Sequence, residues 1–342
     1  MNISDLIKKL RNRVDLTLEE ARLVAQVIME GEATPVQVAT FLSLLAMKGE
    51  TSVELTGFAE MMRQKATPIR LPVGTRVVDT CGTGGDGQNT INVSTLAALV
   101  AAGAGVTIAK HGNRSVSSAC GSADVLEKLG VNLHVSPEQG SQILDTVGIA
   151  FLFAPDLHVA MKNVVPIRRE MGIRTIFNLL GPLTNPANAQ AQVVGVFSEH
   201  YLETVAKVLQ ALGLQEAFVV HSEDGLDEIS VSARTHYVHL KDGQLIHGVI
   251  DPETIMGQRF PLEEIRGGDV NYNVQLAQEL LQGSRRGAMK EVVLLNASAV
   301  IRVSGLVKDF SEGYQLAKEA LETGRALAKL QELVVMTNAV LK

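Results

Sequence analysis

Apolar residues recur at helical spacing through the first 66 positions. Leu23, Val24, Val27 and Ile28 form one stripe with Arg22 and Gln26 between them, and Val36, Ala39, Phe41, Leu42 and Leu45 form a second. Three capping boxes punctuate the region: Thr17-Leu-Glu-Glu20, Thr34-Pro-Val-Gln37 and Thr51-Ser-Val-Glu54. In each, a hydroxyl and a Glu or Gln three residues on can satisfy one another's backbone N–H. Pro35 suits a first helical position, and Gly31 and Gly49 suit helix ends. The pattern predicts four short helices in a small N-terminal helical domain, residues 1–70. Two prolines and a glycine in Pro68-Ile-Arg-Leu-Pro-Val-Gly74 then read as a linker.

From Arg76 the period changes to strand and helix in alternation. Val77-Val78 runs into a glycine-rich turn, and a helix is expected from Asn92 to Gly103. Val106–Ala109 is strand-like, Ser122–Leu129 is helical, Ser136-Pro-Glu-Gln139 opens another boxed helix, and Ile149–Phe153 is a buried strand. Residues 155–187, carrying Pro155, Pro166, Pro182 and Pro186, interrupt the alternation with short helical pieces. A second run follows: Val193–Val196, a helix from His200 to Leu212, and strand Phe218–Val220. The period-2 segment Thr235–Ile250 around Asp242-Gly243 reads as a hairpin. Helices dominate from Val274. The expected fold is α/β, with the small helical domain followed by a large α/β domain, residues 71–342, built on a predominantly parallel central sheet.

Composition narrows the class. The chain has 342 residues, 46% of them hydrophobic, ample for a buried core. Its net charge of −6, with both signs interspersed, counts against nucleic acid or an anionic membrane as a partner. The two cysteines, Cys81 and Cys120, fit neither a metal pattern nor a disulfide framework, which suits free thiols in a cytoplasmic protein. The N-terminus is charged and amphipathic, unlike a signal peptide. The most apolar window, Val93–Ala109, is broken by Ser94, Thr95, Gly103, Gly105 and Thr107, so a packed helix and a strand explain it better than a membrane span.

The chemistry concentrates in residues 79–122. Gly82-Thr-Gly-Gly-Asp-Gly87 follows a predicted strand and precedes a predicted helix, where backbone N–H groups and a helix N-terminus can receive phosphate. It is not a Walker A loop, since no Gly-Lys-Ser/Thr follows. Nor does it suit a dinucleotide fold, because Lys110 stands where the ribose-binding acid belongs. Asp86 would repel phosphate unless it meets a sugar hydroxyl, a metal or a substrate proton. After the next strand, Lys110-His-Gly-Asn-Arg-Ser-Val-Ser-Ser118 supplies two cations and several hydroxyls from what reads as a loop on the same sheet edge. Charge-assisted hydrogen bonds contribute about 1.5–3 kcal/mol each, so a handful could hold a polyphosphate. Asp227 and Glu228, in a loop after a third strand, are hard oxygen donors suited to Mg²⁺.

These segments resemble the anthranilate phosphoribosyltransferase family. The matching pieces are Cys81–Gly87, Asn92–Thr95, Lys110–Ser118, Gly121–Leu126, Arg174–Pro186 and Glu223–Glu228, in order and spacing over essentially the whole chain. One departure is Val159, where the family usually has proline after the histidine. The resemblance implies transfer of the 5-phosphoribosyl group of phosphoribosyl pyrophosphate (PRPP) to the amino group of anthranilate, releasing pyrophosphate. It implies a PRPP site lined by Gly82, Gly85, Asp86, Thr90, Asn92, Val93, Ser94 and Thr95, by Lys110, His111, Gly112, Asn113, Arg114, Ser115, Val116, Ser117 and Ser118, and by Ser122. It further implies Mg²⁺ at Ser94, Asp227 and Glu228, and anthranilate at Gly82, Asn113 and Arg168. Lys110, Arg114 and Arg168 are the expected catalytic cations, Arg168 by pairing with the anthranilate carboxylate. The family forms a homodimer through its helical domain, to which residues near 165–185 return. Three other readings stand beside this one: a pyrimidine nucleoside phosphorylase-like enzyme, a non-enzymatic nucleic-acid-binding relative, and a transferase acting on another aromatic amine or acid.

Overall fold

The computed structural model describes residues 2–71, 74–114 and 120–339. The amphipathic stripes become α1 (Ile3–Arg11), α2 (Leu18–Glu30), α3 (Pro35–Lys48) and α4 (Ser52–Lys65). Thr17, Thr34 and Thr51 each close a reciprocal capping box, and Asn2 with Asp5 closes a fourth, led by an amide rather than a hydroxyl. The box expected at Ser136 forms only by half. Ser136 accepts from the Gln139 N–H, but the Gln139 amide donates to the Ala339 carbonyl instead of reaching back.

Seven strands follow: β1 (Val77–Gly82), β2 (Thr107–Gly112), β3 (Ile149–Phe153), β4 (Ala191–Gly195), β5 (Glu216–Ser222), β6 (Thr235–Lys241) and β7 (Gln244–Ile250). They lie in one sheet in the order β3-β2-β1-β4-β5-β6-β7. Pairing is parallel from β3 through β5 and antiparallel from β5 to β7. The β6–β7 hairpin turns at Asp242 and Gly243, both at positive φ, as a two-residue turn between twisted strands requires.

Alternation along the strands divides the interior in two. Ala217 and Val219 of β5 join Val194, Val238 and Leu240 in a core continuous with the helical bundle. Phe218 and Val220 face the opposite core, with α5 (Val93–Gly103) and the helix Ala288–Ser304. The helix Tyr201–Ala211 packs on β5 and β6 and on α4, so it carries the bundle against the sheet. Val164, Ile176, Phe177, Leu180 and Leu183 return to the bundle's core, where the Phe177 ring meets Phe58 edge-on at 5.8 Å. Among the described residues no helix is long and apolar enough to cross a membrane.

The strand order creates the crevice. From β1 the chain winds out through β2 to β3, then returns to start β4 on β1's other side. At such a reversal the connections leave in opposite directions and the carboxyl ends of the two central strands are left open to a ligand. The loops after β1 and β5 both reach this opening, linked by the Gln88 amide to the Asp224 carbonyl at 3.1 Å.

Two glycines test the packing. A Cβ at Gly57 would stand 2.6 Å from the Ala21 Cβ and 3.0 Å from the Arg22 backbone nitrogen, where α2 and α4 cross. Gly57→Ala is expected to lower stability by about 1–3 kcal/mol. A Cβ at Gly140, inside the helix Pro137–Val147, meets only the Ile69 methyl at 3.6 Å. Gly140→Ala should raise stability by about 0.5–1 kcal/mol through reduced chain entropy. Urea midpoints of the two variants moving the same way would contradict this packing.

Candidate active site

Gly84, Gly85 and Gly87 adopt φ of 66°, 79° and 77°, and Asn89 follows at 51°. These left-handed residues bend the chain back on itself, a conformation glycine adopts without strain. At the sheet edge, Gly82 and Gly195 are register partners ending β1 and β4. A Cβ on Gly82 would collide with the Asp227 carboxylate, and one on Gly195 with the Asp227 carbonyl. The acidic loop after β5 therefore crosses both strand ends in contact with their backbone. Asp227 Oδ2 accepts the Gly84 N–H at 2.6 Å, which joins the acidic loop to the glycine turn.

This brings Asp86, Asp227 and Glu228 together. Burial pushes the Asp227 carboxyl upward, and the charge of Asp86 pushes it further. Burial also raises Glu228, as does Asp227, against the pull of Lys110 and the Ser94 backbone N–H. Asp86 Oδ1 accepts the Gln88 N–H at 3.1 Å, so the carboxylate shapes its own turn. Among the described residues no set of three protein ligands forms a closed metal cage. The donors instead fit an ion that takes one or two carboxylates and fills its other positions with water or phosphate. The first turn of α5 lacks a side-chain cap, because Asn92 turns its amide to the Cys120 carbonyl, at 3.1 Å, and accepts from Asn273. Its N–H groups point to the same opening.

The structure corrects several details of the predicted site. Lys110 and His111 were expected in a loop beyond β2. The strand instead continues to Gly112, because Lys110, His111 and Gly112 pair with Phe151, Leu152 and Phe153 of β3. Both side chains are buried. Lys110 Nζ donates to the Thr80 carbonyl at 2.6 Å and to Ser94 Oγ at 3.2 Å. Val93 and Thr95 turn into the core beneath α5, so Val93 offers only its backbone there. Thr95 Oγ1 is buried without a hydrogen-bond partner among the described residues. Arg114 is tied to α6 (Ser122–Lys128): its guanidinium grips Glu127 at 2.7 and 2.9 Å and Asp124 at 3.0 Å. Ser122 Oγ donates to the Asn113 carbonyl, Gly112 lies close under the Phe151 ring, and Thr90 bridges to Arg266. Ser115, Val116, Ser117 and Ser118 lie outside the described residues.

Arg168, in the helix Val165–Met171, is half-buried and lies over the Phe177 ring, 5.5 Å from its centre. Burial depresses its pKa, and among the described residues it makes no ion pair, to Glu170 or any other carboxylate.

Two residues gain importance from the structure. His158 lies edge-to-face on His111, with ring centres 5.0 Å apart. Burial, then His158, depresses His111 to about 3, and burial depresses His158 to about 4. Both are therefore neutral near pH 7. His111 Nδ1 faces the Gly181 carbonyl at 3.2 Å, and His158 bonds the Thr184 carbonyl. A carbonyl partner requires the proton on that nitrogen, leaving Nε2 of each ring a bare acceptor. Both Nε2 atoms are buried and unpartnered among the described residues. The sequence marked His158 only through the unusual Val159 beside it. Arg174, known beforehand only as the start of a motif, donates to the Gly85 carbonyl and lies over Phe197.

Known proteins share this arrangement. The profile of the glycosyl transferase family a/b domain matches residues 74–327, and that of the family's helical bundle domain matches residues 4–66. The anthranilate phosphoribosyltransferase of Geobacter sulfurreducens is 48% identical over 98% of this chain and 99% of its own length. That of Thioalkalivibrio sulfidiphilus is 49% identical over 98% and 99%. The crystal structure of the Thermus thermophilus enzyme superposes with a TM-score of 0.92 at 42% identity, covering 97% of this chain and 99% of that one. The Saccharomyces cerevisiae enzyme, solved in complex with PRPP and Mg, gives 0.90 at 27% identity, covering 99% and 98%. Site geometry, family profiles and full-length similarity agree: the chain belongs to the anthranilate phosphoribosyltransferase family and transfers a phosphoribosyl group to anthranilate.

Proposed function

We propose that the crevice at the ends of β1 and β4 divides this reaction into a donor half and an acceptor half. The observation that carries the reading is the meeting of a left-handed, glycine-rich turn with the carboxylates of Asp227, which is buried, and Glu228, which is partly buried. Carboxylates placed beside a phosphate-binding turn make chemical sense when a divalent cation lies between them and the phosphate. Mg²⁺ is the ion that fits, and Asp227 and Glu228, with Ser94 beside them, would hold it; the yeast relative is solved in complex with PRPP and Mg. Bound there, Mg²⁺ supplies positive charge to the pyrophosphate.

In the donor half, the N–H groups of the glycine turn and of the first turn of α5 receive phosphate oxygens. Gly82, Gly85, Asp86, Thr90, Asn92 and Ser94 stand along that path. Lys110 is fixed between Thr80 and Ser94, where its charge is set before substrate arrives. As the anomeric C–O bond breaks, negative charge grows on the departing pyrophosphate, and these preset donors stabilise it without rearranging.

In the acceptor half, Arg168 receives the anthranilate carboxylate, and the Nε2 acceptors of His111 and His158 receive the amino hydrogens. The lone pair of that aniline nitrogen is already free, so attack needs orientation rather than a strong base. A histidine held near pH 3 suits orientation and not proton abstraction. Val36 and Met47, three turns apart on one face of α3, are the most exposed large apolar side chains among the described residues. They suit the homodimer contact expected of a helical domain.

Asp227→Asn combined with Glu228→Gln should abolish the Mg²⁺ dependence of PRPP binding and turnover; a Mg²⁺ titration indistinguishable from wild type would remove the metal assignment. Arg168→Ala should raise the KM for anthranilate by about tenfold or more, with a smaller effect on the KM for PRPP. The reverse ordering would take Arg168 out of the acceptor half. Arg114 has to exchange Glu127 for phosphate if it serves PRPP. Arg114→Ala should then raise the KM for PRPP and Glu127→Gln should lower it, whereas equal KM values in both variants would leave Arg114 a purely structural tie to α6. A fluorescence assay of anthranilate consumption with and without PRPP and Mg²⁺ reads all three.

A further inference from the structure

Asp79 is a fully buried carboxylate that neither half of the proposed reaction uses. It stands where β1 and β2 come apart. Their ladder registers Val77 with Thr107 and Val78 with Ile108, and no register pair follows. Beyond that point polar side chains bridge the gap. Asp79 Oδ1 accepts the His111 backbone N–H at 3.1 Å. Asn185 donates to the Ala109 carbonyl at 2.7 Å, and Lys110 Nζ to the Thr80 carbonyl. The second oxygen, Asp79 Oδ2, accepts the Gln192 amide at 3.1 Å, and the same amide nitrogen donates to the Pro182 carbonyl at 2.6 Å. The neighbouring carbonyl, Gly181, is the one that fixes the His111 ring. Asp79 thus holds His111 by its backbone directly and, through Gln192, the segment that fixes its imidazole.

Charge supports the same role. Burial raises the Asp79 pKa, and two cations pull against it: the buried Lys110, and the half-buried Arg63 from α4, whose guanidinium bonds the Leu183 carbonyl at 2.7 Å. A carboxylate accepting from two sides cannot be replaced by an amide without setting one N–H against another.

We propose that Asp79 is the positioning residue of the acceptor half, holding the splayed end of β2 and the segment 181–182 in the one arrangement that aims the His111 acceptor at the amine. The proposal rests on the reading of His111 as an acceptor-side group, and the experiment separates the two. Asp79→Asn, Gln192→Ala and His111→Ala are each compared with wild type for KM of both substrates, kcat and thermal unfolding.

Asp79→Asn should raise the KM for anthranilate about tenfold, leave the KM for PRPP within about twofold, and retain a cooperative melt. Gln192→Ala should shift the anthranilate KM in the same direction by less, and it decides the matter if Asp79→Asn does not fold. If His111→Ala weakens anthranilate while Asp79→Asn or a folded Gln192→Ala does not, the positioning role is overturned and the acceptor reading stands. If His111→Ala leaves anthranilate unaffected, both fall. Equal losses for the two substrates in Asp79→Asn would mark a general packing role and overturn the proposal as well.

Discussion

The passage of Asp227 over Gly82 and Gly195 is the contact on which the site depends. Two strand ends that carry no side chains let the backbone of a third loop lie directly on them. One close approach therefore joins the loops after β1 and β5 at the point where strand order reverses. Without it, the glycine turn would lose the Asp227 carboxylate that Gly84 bonds, and Glu228 would lose its place near Lys110 and the start of α5. The contact also forces acidic groups out of water, which is unfavourable unless a cation or a proton compensates. The fold thus holds its carboxylates where a metal–phosphate ligand lowers the free energy most.

The two halves proposed for the crevice differ in their electrostatics. The donor side is ionic, with Lys110 facing Glu228 and with Asp86 beside Asp227. The proposed acceptor side is nearly neutral: two imidazoles whose pKa values burial holds far below 7, and Arg168, which makes no ion pair among the described residues. Such a division matches a reaction in which one partner brings several negative charges and the other brings one carboxylate and an uncharged amine. It also separates two tasks. Stabilising a leaving group calls for fixed charge, whereas presenting a lone pair calls for orientation without protonation.

Much of this was legible in the chain. Turn chemistry and capping are local, so the threonine-led boxes, the Asp242-Gly243 hairpin and the glycine turn could be read directly, and the alternation of strand and helix gave the sheet. The corrections share one cause: partners distant in sequence. Lys110 and His111 read as loop residues because they are polar, yet pairing with β3 draws them into the sheet. Arg114 read as a free cation because nothing local shows that α6 folds back to offer Glu127. Asp79 drew no attention because a single acid at the end of an apolar strand has no pattern. Its meaning lies in Gln192, 113 residues away. Val93 and Thr95 belong to a motif that opens a helix buried on nearly every side, a packing the motif itself does not show.

The acceptor half belongs as much to the helical core as to the sheet. His158, Arg168, Gly181 and Pro182 stand in or beside the segment whose Val164, Ile176, Phe177 and Leu180 pack with α1–α4. The donor half belongs to the strand ends. The distance between reacting groups is therefore set by how the bundle sits on the sheet, and a line of contacts spans that junction. Arg174 bonds the Gly85 carbonyl and lies 4.5 Å from the centre of the Phe197 ring, Phe197 meets Tyr201 at 5.2 Å, and the Tyr201 hydroxyl donates to Glu50, between α3 and α4, at 3.3 Å. Phe197 itself donates its N–H to Thr83 in the glycine turn. A shift of the bundle is thus felt at the turn that receives phosphate, because both rest on the same aromatic pair. On the proposed division of the crevice, the helical bundle is part of the catalytic geometry as well as of the packing.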